Sequence, residues 1–238
     1  MSRLIPIIYR NIKYPSIETY IHEISCNFYK EKLIVKSPYS LHTECSHGKR
    51  AFSSLIVNGF PNIKEAESGN IPLLWFNKGW AKEFYIYLNK MIGKLPPPDV
   101  LEIHPPFNNY CGTFEQFLDI FTVFYQEFKT NYPITNIVIE NRFGTRYKGG
   151  KFLLSKCSDI LEFCKVLKNS DMDLKIVLDY PQLLSAEVKN NKKTDSWMGS
   201  NPSELIEKII SFNLELKEYN SLIVGLHMWG KLKKENRF

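Results

Sequence analysis

The chain has 238 residues, 44% hydrophobic, 24% charged and 14% aromatic, which is the make-up of one ordinary globular domain with ample material for a core. That composition excludes disordered and low-complexity classes, and no apolar run approaches the ~20 residues of a membrane span, so a soluble cytoplasmic protein is expected. A formal net charge of +6 permits a polyanionic partner such as nucleic acid without selecting one, while five cysteines with no C-x-x-C spacing argue against a disulfide framework or a four-cysteine zinc site.

In chain order, Leu4 to Tyr9 predicts a short strand, and Ser16 ahead of I-E-T-Y-I-H-E-I predicts a helix that it caps. Leu33 to Val35 is a further short strand, Lys36 to Arg50 a polar loop, and Leu55 to Val57 a short apolar piece. In that loop His42, Cys45 and His47 form H-x-x-C-x-H, a zinc-type cluster without an evident fourth ligand. From Ile71 onward the alternation is regular. Strand Leu73 to Phe76 leads to a helix from Trp80 to Ile92, whose stripe of Trp80, Phe84, Tyr87, Leu88 and Met91 suits packing on a sheet, and then to strand Val100 to Ile103. Thr113 predicts the N-cap of a strongly amphipathic helix running past Phe128, followed by strand Ile137 to Glu140. A polar loop precedes a helix near Asp159 to Leu167, strand Leu174 to Asp179, helix Pro202 to Leu216 and strand Leu222 to His227.

Four of these strands close on a polar residue: His104, Glu140, Asp179 and His227. The stretch N-I-V-I-E-N-R from Asn136 to Arg142 shows it best, because Ile137, Val138 and Ile139 suit a strand covered on both faces, as in a parallel sheet, with Glu140 at its carboxyl end. The intervals between strand ends hold a loop, a helix and a return loop, which is the spacing of a (β/α) barrel or a doubly wound sheet. No G-x-G-x-x-G follows a strand, which removes the best support for a nucleotide-binding version.

In a parallel barrel all strand ends open on one face, so His104, Glu140, Asp179 and His227 are expected to converge as ligands of a divalent metal, Zn²⁺ or Mn²⁺. Glu102, two residues before His104, shares its face and is expected to orient the imidazole. Arg142, Arg146 and Lys148 are placed to meet a phosphate or sugar oxyanion, and Trp229 and Trp75 to wall a pocket or fill the core.

As an ordered set, E-I-H-P-P at Glu102 to Pro106, I-E-N-R at Ile139 to Arg142, L-D-Y-P-Q at Leu178 to Gln182 and G-L-H-M-W-G at Gly225 to Gly230 resemble the xylose isomerase-like TIM-barrel superfamily. Its two large branches are the endonuclease IV type apurinic/apyrimidinic (AP) endonucleases and the sugar isomerases and epimerases. The resemblance, which covers the chain from Ile71, implies an α/β fold of the TIM (β/α)8 type spanning a single domain. It implies Glu140, Asp179 and His227 as metal ligands and Glu140 and Gln182 as catalytic positions, while His104 in its H-P pair matches the endonuclease branch. A metal-dependent hydrolase for abasic sites in DNA, a DNA repair enzyme, is therefore expected, the alternatives being a sugar isomerase or an inactive binding protein. Gln182 stands where the family carries the histidine of D-x-x-H. The family also continues past its counterpart of His227 to an eighth strand, so a chain ending at Phe238 is expected to form an incomplete barrel, to bind metal weakly and to associate through its open edge.

Overall fold

A computed structural model describes residues 5–9, 20–46, 48–144, 150–188 and 202–228. Seven strands form one sheet in sequential order: β1 (Ile7–Tyr9), β2 (Ile21–Cys26), β3 (Tyr39–Thr43), β4 (Val100–Ile103), β5 (Asn136–Glu140), β6 (Leu174–Asp179) and β7 (Ile223–His227). Every pairing is parallel. The sheet curls into an open half-barrel, and no pairing among the described residues joins β7 back to β1. The helices are α1 (Ser54–Gly59), α2 (Pro61–Glu65), α3 (Lys78–Ile92), α4 (Phe114–Asn131), α5 (Cys157–Lys168), α6 (Tyr180–Glu187) and α7 (Pro202–Leu216). None of them is long and apolar enough to cross a membrane.

Parallel pairing puts register partners on the same face, and the two faces of this sheet differ in kind. One row runs Leu41, Leu101, Ile137, Leu174 across β3 to β6, and the next runs His42, Glu102, Val138, Lys175. The first lies in the hydrophobic core under the helices. The second faces the hollow of the arc. Helix α4 supplies much of the core because Phe117, Phe121, Phe124 and Phe128 recur on one side, and Thr113 starts it by accepting a bond from the Gln116 amide at 3.2 Å. Helix α3 begins the same way at Asn77, whose Oδ1 takes the Trp80 amide at 2.8 Å, and stops at Gly93, where φ is +55°.

From α3 onward most elements lie where the sequence puts them. The amino-terminal quarter does not follow the expectation. Residues Ile21 to Ile24, expected within a helix, lie in β2, because parallel neighbours on both sides satisfy its backbone and override local propensity. The expected polar loop from Lys36 contains β3, whose polar residues Ser40 and His42 face the hollow while Leu41 enters the core. Leu33 to Val35 is not a strand, and Leu55 to Val57 lies within α1. Leu73 to Phe76 is a turn rather than a strand, with Trp75 buried at φ +59°. Ser16 lies outside the described residues.

At the far edge, Val224 and Leu226 of β7 continue the helix-side row but are 55% and 56% exposed. On α7, Phe212 and Leu216 are buried, whereas Ile206, Ile210 and Leu214 point outward.

Candidate metal centre

Strand tips β3 to β7 bring their polar residues together at the carboxyl end of the sheet. Ligand atoms of His42, Glu102, His104 and Glu140 all lie within 4.8 Å of one another, and Glu140, Asp179 and His227 form a second group that shares Glu140. Each of these side chains except His42 and His227 is buried.

His104 is held from two directions. Its Nδ1 lies 3.1 Å from the carbonyl oxygen of Glu44, and the Trp75 indole donates to its own carbonyl at 2.8 Å. A carbonyl and an ionised carboxylate can only accept, so the single N–H of a neutral ring faces two acceptors, the Glu44 carbonyl at Nδ1 and Glu140 Oε2, 2.7 Å from Nε2. Burial lowers the pKa of His104 to about 4, which keeps the ring neutral at physiological pH. One of the two contacts therefore lacks a proton. Glu102 Oε1 is 3.0 Å from His42 Nε2 in an ion-pair contact but makes no hydrogen bond. His227 Nε2, 3.4 Å from Glu102 Oε2 in a second ion-pair contact, makes no hydrogen bond either. Orphaned buried donors and acceptors are rare in folded proteins, and this donor set of imidazole and carboxylate fits a divalent cation.

The other charges arrange themselves around Glu140. Burial favours its neutral form, but the imidazoles of His104, His227 and His42 gathered around it override that and hold its pKa well below the ordinary value. Burial likewise opposes charge on His227, yet Glu140, 2.9 Å from Nδ1, together with Glu102 pushes it up to about 9. For His42 burial is again outweighed, chiefly by Glu102, so its pKa stands well above the usual histidine value. On the inner face of β2, burial raises the pKa of Glu23 despite the opposing field of His42.

Of the residues singled out in the sequence, His104, Glu140, Asp179, His227 and Glu102 meet here. Arg142 is buried too, and its guanidinium donates to Glu140 Oε2 at 3.3 Å while lying over the rings of Phe143 and Phe152, so it turns into the site and not outward. Gln182 is a brace: its Nε2 donates to Asp179 Oδ2 at 2.7 Å and to Glu140 Oε1 at 3.3 Å, and its Oε1 accepts from the Phe143 amide at 3.1 Å. Asn141 ties the tips of β5 and β6 through bonds to both backbone groups of Asp179. Lys148, Arg146 and Trp229 lie outside the described residues. Trp75 belongs to the core, packed against Trp80, Phe84 and Phe121. The H-x-x-C-x-H cluster separates: His42 joins Glu102, the Cys45 sulfur meets Arg50, and His47 lies outside the described residues.

Sequence reasoning missed His42 as a partner of Glu102 and missed Glu23 altogether. The signal for His42 was the alternation in Y-S-L-H-T, which puts Ser40 and His42 on one face. No family model matches the chain, and neither does any curated protein or solved structure.

Proposed function

We propose that this protein is a divalent-metal-dependent enzyme of the TIM-barrel kind, a phosphodiesterase that cuts DNA at abasic sites in the manner of the endonuclease IV type. The observation that carries the reading is a deficit of protons at two buried positions: a neutral His104 ring has one N–H for two acceptors, the Glu44 carbonyl and Glu140, and Glu102 Oε1 makes no hydrogen bond. His42, Glu102, His104 and Glu140 would hold the ion, Zn²⁺ or Mn²⁺ by their mixture of imidazole and carboxylate. Bound there, such an ion supplies Lewis-acid polarisation of a phosphoryl oxygen.

The chain's own residues do the rest. Arg142, held against Glu140, balances carboxylate charge that would otherwise repel a phosphate. The Glu44 carbonyl and the Trp75 indole fix the His104 ring and backbone, so its Nε2 keeps one direction. The H-P pair at His104 and the positive net charge favour DNA over a neutral sugar. Glu140 also makes a poor proton carrier for sugar isomerisation: Arg142, His227 and Gln182 donate to its two oxygens, and its pKa is held low.

An inactive binding protein is the reading that Gln182 favours, since its carboxamide lies between two carboxylates where a family ligand would stand. One experiment separates the readings. Protein loaded with Zn²⁺ or Mn²⁺ is incubated with a duplex containing an abasic site and, in parallel, with a panel of ketoses. Incision that fades steeply with salt is the expected result. Turnover of a ketose would transfer the protein to the isomerase branch, and a metallated, folded protein inert toward both would make it a binding protein.

A further inference from the structure

Building on the metal-site reading above, we infer that the chain takes a single divalent ion, at His42, Glu102, His104 and Glu140, and that the Gln182 carboxamide closes the adjoining Glu140, Asp179, His227 group to a second.

The two groups share a residue but differ in how their lone pairs are satisfied. In the second group each carboxylate oxygen available to an ion already faces a proton. Asp179 Oδ1 accepts the Gln182 backbone amide at 2.8 Å and Oδ2 accepts its side-chain Nε2 at 2.7 Å. Glu140 Oε1 accepts from the same Nε2 at 3.3 Å and from His227 Nδ1 at 2.9 Å. One amide nitrogen, carrying two hydrogens, thus bridges two carboxylates as a small cation would, without adding charge. In the first group Glu102 Oε1 has no donor, and His104 Nε2 and Glu140 Oε2 meet at 2.7 Å.

The orientation of the carboxamide is settled by its partners, because the Phe143 amide can only donate and so requires Oε1 on its side, 3.1 Å away. Nor is the side chain free to swing. Asp179 caps α6 through the Gln182 backbone amide, and Gln182 is 7% exposed. An ion entering the second group would have to displace the amide hydrogens, leaving a buried NH₂ with no acceptor. In the first group no amide bridges the carboxylates: Glu140 Oε2 accepts from Arg142 at 3.3 Å, and Glu102 Oε1 makes no hydrogen bond.

Manganese titration of the full chain tests this, with bound metal counted by equilibrium dialysis and elemental analysis and its environment followed by electron paramagnetic resonance. Wild type is expected to hold one equivalent with the spectrum of an isolated ion. Gln182→Glu keeps an oxygen for the Phe143 amide and exchanges the blocking NH₂ for a ligand oxygen; it is expected to hold two equivalents with a spin-coupled spectrum. Glu102→Gln, which disables the first group in an otherwise native chain, is expected to bind none. Two equivalents in wild type, one in folded Gln182→Glu, or one retained by Glu102→Gln would each overturn the inference while leaving the metal-site reading standing. A wild-type protein that binds no manganese would remove that reading and this inference together. Should Gln182→Glu fail to fold, the wild-type and Glu102→Gln stoichiometries still decide.

Discussion

Glu140 is the residue at which the charges of the site meet, with Arg142, His227 and Gln182 donating to it and His104 Nε2 2.7 Å away. Its replacement by alanine leaves buried cationic and polar partners without a counter-charge, so Glu140→Ala is expected to cost about 3–5 kcal/mol, measured by urea unfolding, and to abolish metal binding. The histidines set opposite flanks of a pH profile in the metal-free protein. His104 has a folded pKa of about 4, below its value in the unfolded chain, so between pH ~6.5 and 4 the unfolded state takes a proton that the folded state refuses. Stability should therefore fall across that window as the solution is acidified, by on the order of 3 kcal/mol, and His104→Gln should flatten the decline. His227, raised to about 9, contributes stability that is fully present below pH ~6.5 and is lost as the pH climbs through 9; His227→Asn should remove that alkaline loss. The ends of apolar runs advertised His104, Glu140, Asp179 and His227 in the sequence. Nothing local advertised the brace role of Gln182, because its partners Phe143 and Glu140 are contributed by another strand end.

Among the elements, α7 offers an internal comparison. Phe212 is 2% exposed and Ile210 is 55% exposed on the same helix. Phe212→Ala should cost about 3–5 kcal/mol and Ile210→Ala less than about 1 kcal/mol, read from the shift in urea midpoint. The turn before α3 works differently, since Trp75 adopts a conformation unusual for a bulky residue so that its indole can reach the His104 carbonyl. Trp75→Phe keeps the aromatic packing and loses that bond; metal affinity is expected to drop about tenfold, measured by competition with a chelating dye. Amphipathic helices α3 and α4 and strands β4 to β6 were legible because periodicity and caps agree with the final packing. Strand β3 was not, because its inward residues Ser40 and His42 are polar and mimic a loop, and β2 was not, because a capping serine ahead of I-E-T-Y-I-H-E-I mimics a helix start until the pairing partners are known.

At the scale of the molecule, strand order decides which parts support one another. Among the described residues, strands β2 to β6 are each paired on both sides, and β1 and β7 on one side only. Leu226→Lys, placed on the exposed face of the terminal strand, is expected to raise solubility without lowering the melting temperature, as light scattering and calorimetry would report. The same order gives the sheet a direction of fraying. Amide hydrogens of β4 and β5 should exchange with solvent most slowly, and those of β7 should exchange early as the terminal strand peels from β6. Peeling would carry away His227 while His42, Glu102, His104 and Glu140, on three adjacent interior strands, stay in place. Partial unfolding should thus dismantle the two ligand groups one after the other, and the group on the interior strands should outlast the edge.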